Sequence, residues 1–136
     1  MRQFLICLFA VAISMNPSVS ESSTKKEFSD QIVCRAAIAA IMGRSPSIVK
    51  VIRVSDDVVY LRYVRPDDRS VWSYRCRLDG QRVVWAAEPG RWRNHPDDEE
   101  IFFETTKGGS RLKIVEKYSD GSNREKVYSR DQLFAK

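Results

Sequence analysis

Arginine is the residue type that dominates the possible chemistry of this chain. Residues 61–93 contain eight arginines, four acidic residues and no lysine. A guanidinium group makes paired hydrogen bonds to carboxylates and phosphates, and it stacks on aromatic rings. The segment therefore predicts a docking face for an acidic partner: an acidic protein, an anionic glycan or a lipid headgroup. The candidate binding residues are Arg75, Arg77, Arg91, Trp92 and Arg93.

A second interpretation of the same arginines needs no partner. They would cover a solvated sheet face and pair with nearby acids, with Trp92 in the core. The acids available for this are Asp67, Asp68, Asp79 and those at 97–100. Nucleic acid would also use arginine and aromatic residues, but the modest net charge of +5 and the predicted export argue against it.

Groups suited to acid–base chemistry are few. His95 is the only histidine and lies in a predicted loop, so we expect an exposed imidazole rather than a catalytic one. Asp97-Asp98-Glu99-Glu100, followed by Glu104, forms the one acidic cluster. The cluster could act as a weak divalent site or a carboxylate pair of a small hydrolase, but it lacks the spacing of a calcium loop. We therefore expect these acidic residues to lie in solvent at the start of a strand. We also expect no cofactor, no metal and no catalysis.

The first 20 residues read as a signal peptide. Arg2 precedes an uncharged stretch at 4–15, and Ser18-Val19-Ser20 suits signal peptidase, so cleavage is expected after Ser20. The stretch is too short to span a bilayer, although a retained anchor is the alternative. The expected domains are a signal peptide at 1–20, a flexible lead-in at 21–28 and one domain at 29–136. The protein is thus predicted to be exported, periplasmic or secreted, with no transmembrane helix in the mature chain.

Two cysteines, Cys34 and Cys76, remain after the predicted cleavage. In a small protein bound for an oxidising compartment, such a pair predicts one disulfide; two free thiols are the alternative. Two cysteines without a Cys-x-x-Cys spacing make neither a redox motif nor a zinc site.

The elements that must position these residues are one helix followed by short strands. Residues 29–42 favour helix, with Ser29 or Asp30 as the N-cap and Gly43 as the stop. Short strands separated by turn residues such as Asp79-Gly80 follow. The seven predicted strands lie near 48–54, 58–65, 70–78, 81–87, 99–105, 111–118 and 123–129.

Alternation along 71–78 places Cys76 on an aromatic face, with Arg75 and Arg77 on the other. Cys34 lies on the apolar face of the helix, so the disulfide would join helix to sheet. Short connections predict antiparallel pairing between sequence neighbours. The fold class is therefore α+β, mainly β: an N-terminal helix packed on an up-and-down sheet of about seven strands. The pattern leaves a partial barrel and an open meander as alternatives.

Several segments resemble a family of short hypothetical exported proteins of Gram-negative bacteria. They are the run from Cys34 to Arg44, Val58–Asp68, Trp72-x-Tyr74-x-Cys76-x-Leu78-x-Gly80, Val83-Val84-Trp85 and Gly90–Arg93. The resemblance covers about 34–121 and implies export and the disulfide, but no activity and no catalytic residues. The expected shape is also similar to small periplasmic lysozyme inhibitors, without their inhibitory motifs.

The most favoured function is a non-enzymatic exported binding or inhibitor-like module that docks an acidic partner through an arginine-rich face. A structural accessory of an envelope assembly and a small carboxylate-dependent hydrolase are the alternatives.

Overall fold

The structure is a computed structural model that describes residues 27–135. The predicted signal peptide at 1–20 and lead-in residues 21–26 lie outside the described residues. Phe28, the last residue of the predicted lead-in, is buried in the core. No helix within 27–135 has the length and apolar character needed to cross a bilayer.

Helix α1 spans Asp30–Met42 and has the ends that the sequence predicts. The Ser29 side chain accepts a hydrogen bond from the Ile32 amide at 3.3 Å, which caps the first turn. Gly43 ends the helix in the left-handed conformation at φ 65°, where a residue with a side chain would be strained. Its buried face includes Val33, Cys34, Ala36, Ala37, Ile38, Ala39 and Ala40.

Seven antiparallel strands form one open sheet in the order β1 to β7, which confirms the up-and-down meander. The meander is open rather than a partial barrel. The strands are β1 (Lys50–Ser55), β2 (Val58–Val64), β3 (Val71–Asp79), β4 (Arg82–Ala87), β5 (Glu100–Thr106), β6 (Arg111–Lys117) and β7 (Asn123–Ser129).

Helix α1 packs on one face of this sheet, which we call the inner face and which carries Val59, Leu61, Tyr74 and Cys76. Cys34 and Cys76 are both fully buried and form the predicted disulfide, with their Cα atoms 5.8 Å apart. The bridge therefore joins α1 to the middle of β3. The opposite face, which carries Arg62, Arg75, Arg77 and Arg82, is the outer face.

A short helix, α2 (Arg130–Phe134), ends the described chain and is absent from the sequence prediction. The signal for it is a capping box in which the Ser129 and Gln132 side chains bond to each other's backbone amides. Arg130 begins this helix, donates hydrogen bonds to the carbonyls of Gly109 and Glu27, and lies over the Phe28 ring. These contacts tie the start of the described chain to its end.

Candidate docking face

Strand register places the predicted arginines on a common face. Tyr60 of β2 pairs with Arg75 of β3, which pairs with Ala86 of β4. Arg77 is two residues along the same strand as Arg75 and therefore points to the same side. Arg62, opposite Ser73, and Arg82, opposite Asp79, have the same parity. The outer face thus carries a basic strip across three strands.

The loop at 88–99 folds back over part of this face, and Arg75 holds its first turn. The Arg75 guanidinium donates one hydrogen bond to Glu88 Oε1 and another to the Gly90 carbonyl, each at 2.6 Å. A Cβ on Gly90 would lie 2.9 Å from the Ala87 carbonyl oxygen, so the close turn needs glycine here. Arg75 is therefore engaged within the molecule.

Trp92 lies on the basic strip rather than projecting from it. The guanidinium groups of Arg75 and Arg77 lie 4.7 and 5.0 Å from the centre of its ring. These are cation–π distances, and two such contacts on one indole hold the middle of the loop. Val84 and Ala86, the β4 partners of Arg77 and Arg75, are buried on this side of the sheet. Trp92 therefore acts first as a packing residue of the outer face.

The far end of the loop is closed by Arg91 and Asp98. The Arg91 guanidinium donates two hydrogen bonds to the Asp98 carboxylate, at 2.7 and 2.8 Å, and the His95 amide donates a third at 3.0 Å. The hydrogen bonds from Arg91 hold the pKa of the Asp98 carboxyl well below its usual range. Asp98 therefore remains ionised and holds the end of the loop in place.

The other members of the acidic cluster are paired or exposed. Arg93 donates to Glu99 at 3.1 Å, and its guanidinium lies 5.1 Å from the Trp85 ring centre. Glu104 pairs with Lys113 across the sheet at 3.0 Å, and Asp97 lies exposed beside the exposed His95. Within residues 27–135, no three histidine, cysteine or acidic side chains are grouped so that they could hold a metal ion.

Five outer-face arginines differ from those that hold the loop. Arg53, Arg62 and Arg77 form no ion pair with any carboxylate of the described chain. Arg53 lies 3.9 Å above the Tyr60 ring, and Arg77 contacts Trp92. Arg62 is exposed and has neither kind of contact. Arg82 on β4 and Arg111 on β6 also form no ion pair within the part of the chain that the structure describes, so the positive charge that an external anion could use extends along the outer face beyond β1, β2 and β3.

A groove of about 440 Å³ runs over this part of the outer face. Tyr60 and Arg62 contribute to it from β2, Ser73 contributes from β3, and the start of the loop at 88–99 bounds one side. We call it the outer groove, and its lining includes Ile52, Arg53, Tyr60, Arg62, Ser73 and Glu88.

Apolar side chains lie next to the outer groove. Val64 and Val71 are cross-strand neighbours on the outer face and are 49% and 59% exposed. Ile52, which lines the groove, is 48% exposed. These exposed apolar residues lie beside cations that lack carboxylate partners. The surface can therefore form both the apolar contacts and the charged hydrogen bonds that a protein interface uses.

The sequence analysis did not identify Arg53 as a binding residue, because a β-bulge in β1 changes the face on which its side chain lies. Val51 pairs with Leu61, but Arg53 pairs with Tyr60, so one extra residue, Ile52, interrupts the register as a bulge. Simple alternation would place Arg53 on the same side as Val51, whereas the bulge brings it to the outer face. Of the two arginines that line the groove, only Arg62 falls within the arginine-rich segment at 61–93 that the sequence analysis singles out.

Comparison with known proteins gives no match: no protein-family model, no curated protein and no solved structure is significantly similar to the chain. The functional argument therefore depends on the geometry of the chain itself.

Proposed function

We propose that this protein is a non-enzymatic, exported binding module, inhibitor-like in action, that docks an acidic protein on its outer face. The observation that carries the proposal is the outer groove, where Arg53 and Arg62 have no internal carboxylate partner. A carboxylate of the partner would supply the missing counterion and form a charge-assisted hydrogen bond. Export is supported by the disulfide, because such bridges persist in oxidising compartments.

A protein suits this surface better than an anionic glycan or a lipid headgroup. Val64, Val71 and Ile52 expose apolar area beside the arginines. The centre of a protein interface typically combines apolar contact with arginine, and arginine is enriched among the residues that contribute most binding energy. A sulfated sugar would use the cations but leave the valines without partners.

The loop at 88–99 has a supporting role in this proposal. Arg75, Arg91 and Arg93 hold the loop through Glu88, Asp98 and Glu99, while Trp92 packs against the guanidinium groups of two arginines. A partner that covers both the groove and the loop would also meet Arg77 and the exposed part of Arg91. The observed pairing of Asp98, Glu99 and Glu104 favours anchoring roles, so we propose no reaction for these carboxylates.

The proposal is tested by crosslinking capture from the cell-envelope fraction with three forms of the tagged protein: native, Arg53→Gln/Arg62→Gln and Arg111→Gln. Arg111 is exposed on the same face but on β6, so its variant removes one positive charge from that face outside the groove. We expect native protein and the Arg111 variant to capture the same acidic protein, and the double variant to lose it. Capture should weaken as salt rises. Equal capture by all three forms, at equal melting temperatures, would refute the docking site.

Sedimentation with anionic vesicles and retention on a sulfated polysaccharide distinguish the other partner classes. Tight binding to either, removed by the double variant, would replace the acidic protein with a lipid or a glycan. A stable complex that persists in all variants would favour the structural accessory of an envelope assembly.

A further inference from the structure

A second basic concavity lies on the inner side of the sheet, on the face opposite the outer groove. It is a pocket of about 390 Å³ between the C-terminal end of α1 and strand β7. We call it the inner pocket. Its walls include Ala40, Gly43, Arg44, Arg124, Lys126 and Tyr128. The volume is at the lower end of the roughly 300–1,000 Å³ typical of small-molecule sites.

The cations of the inner pocket outnumber the carboxylates beside it. Arg124 contacts the buried carboxylate of Glu116, with 3.4 Å between Nε and Oε2. Arg44 and Lys126 have no carboxylate partner within the described chain. Three positive side chains therefore face one negative one, and a concave wall strengthens the resulting potential.

Arg44 is held by an aromatic ring instead of a counterion. Its guanidinium lies 5.5 Å from the centre of the Tyr63 ring, and its Nε is buried without a hydrogen-bond partner. A guanidinium that is shielded in this way retains its charge and its need for an acceptor. An anion in the inner pocket would supply the counterion that Arg44 lacks, through the terminal nitrogens of the guanidinium.

The helix end does not cancel this positive potential. The last carbonyls of a helix carry partial negative charge, which would disfavour an anion. Here the Ala39 carbonyl accepts from the Arg44 amide at 2.8 Å, and the Ala40 carbonyl accepts from the Arg124 guanidinium at 3.1 Å. These bonds occupy two of the four terminal carbonyls of α1 and bring Arg124 into the pocket wall.

We propose that the inner pocket binds a small phosphate-bearing anion, either inorganic phosphate or a phosphate monoester. A phosphate carries about two charges near neutral pH, which matches the two cations that lack partners. Its several acceptor oxygens suit a site with two guanidinium groups and one ammonium group. This site is independent of the proposed docking function, since it lies across the sheet from the outer groove.

The test is an NMR titration of the oxidised protein at constant ionic strength, with inorganic phosphate, glycerol 3-phosphate and acetate as separate ligands. We expect saturable shifts of the amides of Gly43, Arg44, Ser45 and Lys126 with either phosphate. Acetate should bind at least tenfold more weakly, a difference of about 1.4 kcal/mol. Arg44→Gln and Lys126→Gln should each weaken phosphate at least tenfold, whereas Arg111→Gln on the outer face should not.

Three results would overturn the proposal. One is a set of shifts that spread over both faces and do not saturate. Another is unchanged affinity in Lys126→Gln, an exposed edge-strand position where the fold is not at risk. The third is binding to vesicles that contain phosphatidylglycerol without any response to the two soluble phosphates, which would assign the site to a lipid surface.

Discussion

Arg91 and Asp98, seven residues apart, are joined by two parallel hydrogen bonds of 2.7 and 2.8 Å between guanidinium and carboxylate. The Asp98 side chain is only 6% exposed, while that of Arg91 is 63% exposed. The pair closes the loop at 88–99 over the outer face. An arginine that looks available for binding in the sequence is thus occupied on one side and open to solvent on the other.

The first prediction concerns the pH dependence of stability through Asp98. Because its folded-state pKa is lowered, the carboxylate stabilises the fold at pH values above its unfolded pKa of about 3.9. This contribution is lost as the pH falls from about 5 towards the lower, folded pKa. Asp98→Asn should therefore lower the melting temperature at pH 7 and flatten its decrease below pH 5.

Thermal melts between pH 7 and pH 2 measure this effect. Asp97→Asn is the matched control because Asp97 is 92% exposed and next in sequence. The Asp68 carboxyl also has a lowered pKa through its hydrogen bonds from Arg65, so a residual pH dependence remains in the Asp98 variant. Identical profiles for native protein and Asp98→Asn would contradict the assignment.

The second prediction concerns the contact between Arg77 and Trp92. A double-mutant cycle with Arg77→Ala and Trp92→Ala should give a coupling of about 0.5–1 kcal/mol, as exposed cation–π pairs do. Urea unfolding of the four proteins provides the free energies. A parallel cycle of Trp92→Ala with Arg111→Ala should be additive within about 0.5 kcal/mol. A coupling near zero in the first cycle would contradict the cation–π contact between Arg77 and Trp92.

The third prediction concerns the disulfide between Cys34 and Cys76. Their sequence separation is 42 residues, and the chain-entropy model gives about 4 kcal/mol for a loop of this size. Cys34→Ser should therefore lower the free energy of unfolding by a few kcal/mol. Unfolding curves with and without reductant measure the effect, and Cys34→Ser/Cys76→Ser should not respond to reductant. A native protein that is equally stable when reduced would contradict the bridge.

Much of the fold could be predicted from sequence because its signals are local. The caps at Ser29 and Gly43 define α1, and turns such as Asp79-Gly80 separate strands whose bounds agree with the prediction to within one or two residues. Short connections leave antiparallel neighbours as the simplest pairing. The period of two in β3 separates Cys76 from Arg75 and Arg77. Each of these features depends on residues a few positions apart, so the chain encodes them without long-range contacts.

The candidate sites depended on tertiary structure instead. A bulge at Ile52 places Arg53 on the outer face, although alternation alone predicts the inner one. Nothing local indicates whether an arginine will find a carboxylate, so the distinction between Arg62 and Arg91 appears only when the loop folds back.

The inner pocket shows the same dependence over a longer distance. Arg124 reaches the Ala40 carbonyl across 84 residues of sequence, and Arg44 joins it only because α1 ends beside β7. The sequence by itself determined α1, the seven strands and their order, since periodicity, caps and turns act between neighbours. It also determined the disulfide, since two cysteines follow the predicted cleavage site. Tertiary structure decided which charges are neutralised and which face a concavity, because ion pairing depends on distances that only packing sets.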